Sequence, residues 1–164
     1  MILYPKYYCD KVTDISVELL KKNNIHGVIL DVDNTLIDFD KNLLPGIENW
    51  GEILTQNNIK CIILSNSSKI EKVKTVAEKL KIDYIFFGTK PLKRGFLKAQ
   101  KRLNLPSENL AVIGDQIFTD VLGANRCKMF SILVNPIAKK DIWMTRFKRP
   151  LEELIIKKYL KKHN

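Results

Sequence analysis

Four apolar residues, Gly27-Val28-Ile29-Leu30, run directly into Asp31-Val32-Asp33-Asn34-Thr35-Leu36. An apolar run of this kind fits a strand buried within a sheet. A strand ending in two carboxylates one residue apart delivers both at its C-terminal edge, where open α/β sheets bind their ligands. Neighbouring carboxylates repel, and keeping both ionised is costly unless a cation or a proton intervenes. The arrangement suits a metal site, or a nucleophile beside a proton donor. The plainer alternative is an acidic turn, since Asp and Asn are good turn residues.

The same pattern recurs along the chain. Further strands are expected at Lys60 to Ser65, Asp83 to Gly88, Leu110 to Asp115 and Met129 to Val134, beside the first at His26 to Asp31. Between them lie expected helices near Pro45 to Gln56, Ser68 to Leu80, Leu92 to Leu103 and Thr119 to Arg126. Ile70, Val73, Val76, Ala77 and Leu80 carry the helical period. Pro45 suits a first helical turn, and Ser67 or Ser68 an N-cap. Two more helices are expected, near Val12 to Lys22 and after Pro150. Alternating strands and helices imply an α/β fold: a doubly wound parallel sheet covered on both faces. With 164 residues and neither an internal repeat nor a linker, the chain reads as a single domain over 1–164.

Cys9, Cys61 and Cys127 are scattered, with no Cys-x-x-Cys pair and only two histidines. That disfavours structural zinc and a disulfide framework, and suits a reducing cytoplasm. No stretch approaches the roughly 18 apolar residues of a spanning helix, and residues 1–10 lack the apolar core of a secretory signal. The formal charge of +10 favours anionic partners. Six units of that charge fall between Lys139 and Asn164, where nine Lys/Arg face three Asp/Glu.

Polar groups also end the other expected strands. Ser65-Asn66 ends the second, Lys90 follows the third, and Gly114-Asp115 ends the fourth, with Asp120 five residues on. In a parallel sheet these ends share one side, so Asp31, Asp33, Ser65, Lys90, Asp115 and Asp120 should converge. Taken singly, each has a plain reading as cap, solvated charge or turn. Their placement at four successive strand ends argues for a site.

Asp-x-Asp-x-Thr, a strand-end Ser, a Lys and Gly-Asp-x-x-x-x-Asp resemble the four motifs of the haloacid dehalogenase superfamily. More narrowly, Leu64-Ser65-Asn66, Lys90-Pro91, Val112 to Gln116 and Thr119 to Arg126 are similar to the YqeG family of capless phosphatases. Eukaryotic relatives of that family act on phosphatidylglycerophosphate in mitochondria and plastids. The resemblance implies Asp31 as nucleophile forming an aspartyl-phosphate, and Asp33 as general acid and then base. It implies Mg2+ held by Asp31, the Asp33 backbone carbonyl and Asp115, with Asp120 on metal-bound water or orienting Lys90. Lys90 and Ser65 would neutralise and orient the phosphoryl oxygens. Thr35 would brace the loop, and the Asn34 and Asn66 amides would add phosphoryl contacts. Lys93 lies close enough to Lys90 to compete for the lysine role, although Lys90 holds the family position.

Neither the stretch after Leu36 nor the segment from Ser65 to Lys90 has room for a cap domain. A site without a lid excludes water poorly unless a large substrate or a partner closes it. Such a site suits macromolecules, lipids at a surface, or an oligomer. Residues 139–164 form a basic amphipathic tail in which Trp143, Met144 and Phe147 interleave with charge. The tail suits an anionic membrane surface, or a helix packed on the sheet with solvated lysines. The N-terminal Tyr4, Tyr7 and Tyr8 fit an interfacial belt or packing on the domain. The leading expectation is a magnesium-dependent phosphatase of phosphatidylglycerophosphate at the inner face of the membrane. A phosphatase of a soluble sugar or nucleotide monophosphate is the alternative within the enzyme class. A receiver-like signalling domain and a nucleic-acid-binding protein are alternatives outside it, and no nucleic-acid recognition motif is present.

Overall fold

The computed structural model describes residues 1–138 and 147–163. Six parallel strands form one sheet: β1 Tyr7–Cys9, β2 Gly27–Leu30, β3 Lys60–Leu64, β4 Asp83–Ile85, β5 Leu110–Gly114 and β6 Phe130–Val134. Their spatial order is β1-β6-β5-β2-β3-β4. The helices are α1 Val17–Lys22, α2 Ile47–Gln56, α3 Ile70–Leu80, α4 Lys93–Leu103, α5 Leu122–Arg126 and α6 Arg149–His163.

Every residue of β2 is buried, and successive side chains feed opposite layers. Val28 and Leu30 join the core built on Trp50, Leu54, Val73 and Val76, from α2 and α3. Ile29 joins Phe96, Ala99, Ala124 and Cys127, from α4 and α5. The sheet is therefore covered on both faces, and no cap domain is present among the described residues. From β2 the chain winds outward through β3 and β4, then crosses to β5 on the other flank of β2. That reversal places a crevice at the C-terminal ends of β2 and β5, where open α/β sheets bind ligands.

Local differences from the sequence expectation have local causes. The expected helix over Val12 to Lys22 is split: a 3-10 turn at Val12–Asp14 stops before Ser16, whose side chain caps α1 by accepting the Leu19 N–H at 3.1 Å. Pro45 precedes the α2 N-cap, Gly46, whose φ of 83° suits glycine. Helix α3 starts later than expected, after Lys69; Ser67 Oγ instead accepts the Lys69 N–H at 3.1 Å. Strand β4 stops at Ile85, because Phe87 and Thr89 turn to positive φ. The expected helix at Thr119 opens earlier, as a π-turn at Ile117–Val121 that runs into α5.

Strand β1 was not expected. It pairs with β6, and Tyr8 packs with Leu133 and Ile155. Helix α6 lies on the same cluster through Ile155 and Tyr159, and Tyr4 meets Tyr159 edge-on at 5.8 Å. Of the two readings of the tail, packing holds for α6, while Leu151 and Leu154 remain exposed. Trp143 and Met144 lie outside the described residues. None of the described helices is long and apolar enough to cross a membrane.

Candidate active site

Asp31 follows β2 and is buried. Asp115 follows β5 next door, and its neighbour Gly114 pairs with Leu133 of β6. A side chain on Gly114 would overlap the Asp120 carboxylate, which lies folded back over the strand end. The π-turn carries Asp120 into that space, and Asp120 Oδ2 accepts the Gln116 N–H at 3.2 Å. Asp31, Asp115 and Asp120 thus each turn a carboxylate oxygen to a common point, all within 4.8 Å of one another.

Lys90 is the cation at the centre of this cluster. It is buried, and its ammonium donates to Asp31 Oδ1 at 2.7 Å and to Asp120 Oδ1 at 2.6 Å. Its backbone is held by Asn66, whose Oδ1 accepts the Lys90 N–H at 2.7 Å and whose Nδ2 donates to the Lys90 carbonyl at 3.0 Å. Lys93 is exposed in the first turn of α4. Thr35 Oγ1 lies 3.1 Å from both Asp31 Oδ2 and Asp115 Oδ1, so its single proton bridges two strands. Ser65 is fully buried, and its hydroxyl accepts the Ser67 N–H at 3.1 Å.

Two expected residues sit apart from this core. The Asp33 carboxylate is partly exposed and accepts a hydrogen bond from Lys72 of α3 at 2.6 Å. Asn34 corrects an expectation. Its backbone N–H donates to the Ile37 carbonyl at 2.8 Å and is not free for a phosphoryl oxygen. Its side chain grips the Ala138 backbone in both directions at 2.9 Å, tying this loop to the segment after β6.

Three residues escaped the sequence reading: Lys72, Arg149 and Glu152. Arg149, at the start of α6, donates through Nη2 to Asp115 Oδ2 at 2.7 Å and through Nη1 to the Asp115 carbonyl at 3.1 Å. Buried Glu152 lies 3.3 Å from Arg149 Nη1 and accepts the Ile117 N–H at 2.8 Å, capping the π-turn that carries Asp120. Nothing local in the sequence signals these contacts, since α6 is remote in the chain from β5.

The electrostatics follow from crowding. Burial, with the Asp31 and Asp120 charges adding to it, pushes the Asp115 carboxyl up to about 8 against the pull of Arg149. Burial likewise raises Asp120 to about 6, opposed by Lys90. Burial alone would lower Lys90, but the Asp120 and Asp31 carboxylates hold its ammonium above the ordinary range. Carboxylates that resist ionising together mark a site short of positive charge. Three buried carboxylate oxygens, with no histidine or cysteine grouped with them among the described residues, suit a hard divalent cation. The residues present therefore fit a divalent metal.

Residues 1–138 match the family described as Mitochondrial PGP phosphatase. The chain belongs to this family.

Individual proteins and solved structures are also similar to the chain. The chain is 39% identical over 153 residues to a Bacillus subtilis (strain 168) protein named "Probable phosphatase YqeG", covering 93% of this chain and 88% of that one. It is 26% identical over 161 residues to phosphatidylglycerophosphate phosphatase 1, chloroplastic/mitochondrial, of Arabidopsis thaliana. That alignment covers 90% of this chain but only 45% of the Arabidopsis protein. Among solved structures, the cobalt-bound deoxy-D-mannose-octulosonate 8-phosphate phosphatase of Haemophilus influenzae shares the fold. The TM-score is 0.53 at 19% identity, with 85% of this chain and 91% of that chain covered. An uncharacterized Listeria monocytogenes protein superposes with a TM-score of 0.59 at 19% identity, covering 72% and 85% of the two chains. By family, the chain is a phosphatase.

Proposed function

We propose that the chain is a magnesium-dependent phosphomonoesterase working through an aspartyl-phosphate on Asp31, and that its substrate is phosphatidylglycerophosphate. The observation that carries the chemistry is the Lys90 ammonium clamped between Asp31 and Asp120, with Asp115 closing the carboxylate cluster. An Asp31 oxygen attacks phosphorus, a bond forms between them, and the bond from phosphorus to the ester oxygen breaks. Asp33 protonates the departing alkoxide, which requires it to let go of Lys72. Asp33 then takes a proton from the water that attacks phosphorus; inorganic phosphate leaves and Asp31 is restored. Lys90 balances charge on the nucleophile and on the transferring oxygens, Thr35 fixes the Asp31 and Asp115 carboxylates, and Ser65 and Asn66 shape the phosphoryl side. Magnesium, held by Asp31 and Asp115 with Asp120 beside them, would let an anionic nucleophile approach an anionic phosphoryl group.

The Arabidopsis relative supports the lipid substrate by its named activity, and a site with no cap among the described residues suits a large one. Action at the inner face of the cytoplasmic membrane follows from that substrate. The test is phosphate release from phosphatidylglycerophosphate in anionic liposomes, with magnesium or EDTA, beside soluble phosphomonoesters and an Asp31→Asn control. Lipid turnover dependent on magnesium and Asp31 is expected. Turnover of soluble esters alone would discard the lipid assignment and keep the phosphatase.

A further inference from the structure

We propose that the loop carrying Lys90, together with the first turns of α4, docks the protein on an anionic phospholipid bilayer with the catalytic mouth facing the lipid. The proposal rests on the lipid-phosphatase reading and adds the docking surface to it. Between β4 and α4 the chain exposes Phe86, Phe87 and Leu92, and Leu97 follows one turn into the helix. Phe87 is 65% exposed and Leu92 56%. These side chains do not simply hang on a loose loop. The Phe87 N–H donates to the Ser67 carbonyl at 2.9 Å and the Gly88 N–H to the Ser65 carbonyl at 2.7 Å. Phe87 is held at a φ of 51°, a region that bulky residues rarely adopt and that marks a constrained site. The backbone that presents Phe87 to solvent is thus stapled to the strand end that carries Ser65.

The surrounding charge is mainly of one sign. Exposed Lys93, Arg94 and Lys98 flank the apolar residues, and no Asp or Glu occurs between Asp83 and Glu108. Asp83 lies beside Phe86 but is paired with Arg102 at 3.1 Å. Apolar side chains flanked by an excess of cations match an anionic interface and its acyl boundary. Two of the four apolar residues are leucines, which enter an acyl layer but offer no ring to stack on a base, so lipid is favoured over RNA. The opposite edge of the sheet provides the contrast. Its helix-to-strand turns present Asn24, His26, Asn58, Lys60, Asn104 and Glu108 with no exposed large apolar residue, although Met1 and Ile2 are exposed before β1. Apolar exposure at the turns is concentrated on the edge that holds the site.

The test is co-sedimentation of the full chain with vesicles of phosphatidylglycerol and phosphatidylcholine, beside vesicles of phosphatidylcholine alone. Phe87→Asn/Leu92→Ser is the principal variant, because Asn tolerates positive φ and Ser suits the N-cap position that Leu92 occupies. Wild type should sediment with the anionic vesicles only, and the variant's affinity should fall about tenfold or more, as expected for losing two inserting apolar side chains. Lys93→Glu/Arg94→Glu should abolish the preference for anionic lipid. Turnover of a soluble aryl phosphate should stay within about twofold of wild type in both variants, as a check on folding. No wild-type binding to anionic vesicles, equal binding by the Phe87→Asn/Leu92→Ser variant, or binding of single-stranded RNA in place of vesicles would overturn the proposal. Vesicle binding without hydrolysis of phosphatidylglycerophosphate would uphold docking and sink the substrate reading, so the two fail separately.

Discussion

Replacing Lys90 with Met tests the centre of the site, because one ammonium is asked to balance two buried carboxylates at 2.7 and 2.6 Å. Methionine fills a similar volume without charge. It leaves Asp31, Asp115 and Asp120 crowded, with Arg149 as the nearest remaining cation in the described residues. Removing one partner of a buried ion pair costs about 3–5 kcal/mol. For a chain of 164 residues that corresponds to a fall in melting temperature of roughly 10 °C. Because the cost is uncompensated negative charge, a divalent cation should return much of it. The assay is thermal melting of wild type and variant in EDTA and in millimolar magnesium, with turnover of a soluble phosphomonoester alongside. The variant should melt well below wild type in EDTA and recover in magnesium, yet turn over about 10²–10³-fold more slowly, since a preorganised cation is lost from the transition state. Lys93→Met, at an exposed position, should stay within about twofold in activity and 1 °C in melting, as surface changes usually do. A Lys90→Met protein that melts like wild type in EDTA, or a Lys93→Met protein that carries the catalytic loss, would refute the reasoning.

Three further outcomes are expected. Gly114→Ala should push the Asp120 carboxylate out of its place, costing about 1–3 kcal/mol by overpacking and weakening magnesium binding by titration calorimetry; unchanged affinity would count against Asp120 in the metal cluster. In EDTA the melting temperature should fall as pH rises from 6 to 8. Asp115 and Asp120 titrate near 8 and 6 in the folded chain but near 4 when unfolded, so the folded state holds more protons across that window and loses stability as they leave. Excess magnesium should flatten that slope, and a melting temperature that rises with pH in EDTA would contradict it. Arg149→Met should destabilise the metal-free protein by about 3–5 kcal/mol through the freed Asp115, with recovery in magnesium; a loss indifferent to magnesium would assign Arg149 to packing alone.

Much of the sheet was legible because β2, β3, β5 and β6 are buried apolar runs, and a buried parallel strand leaves that mark whatever surrounds it. The convergence of Asp31, Lys90, Asp115 and Asp120 followed from parallel topology alone, since successive strand ends must share an edge. Strand β1 was not legible. Its three half-buried residues, Tyr-Tyr-Cys, become a strand only because β6 offers an open edge. The early start of the helix at Ile117 was hidden for a related reason: the π-turn depends on Glu152, which caps Ile117 from α6. Asn34 resembled a phosphate contact by position, but the bridge that returns the loop from Asp33 to Ile37 claims its amide. Lys72 lay in plain view on α3, and only the fold reveals that it reaches Asp33.

The charge balance of the site explains why the C-terminal helix matters to a motif set that ends before it. Three carboxylates are buried together, and the motifs themselves bring one buried cation, Lys90. Arg149 supplies a second from α6, beyond residues 1–138 that the family match covers. Fully ionised, these three carboxylates and Glu152, which pairs with Arg149, outnumber the two cations and leave the site two units negative. A divalent cation would make up that difference, and without Arg149 it would leave the site negative where a phosphoryl dianion must bind. Glu152 completes the link: it lies against Arg149 and caps the turn bearing Asp120, so α6 cannot leave the sheet without disturbing two of the three carboxylates. The basic tail thus enters the chemistry as structure before it enters as surface charge. The docking surface proposed for anionic lipid draws instead on Lys93, Arg94 and Lys98, which follow Lys90 in the chain.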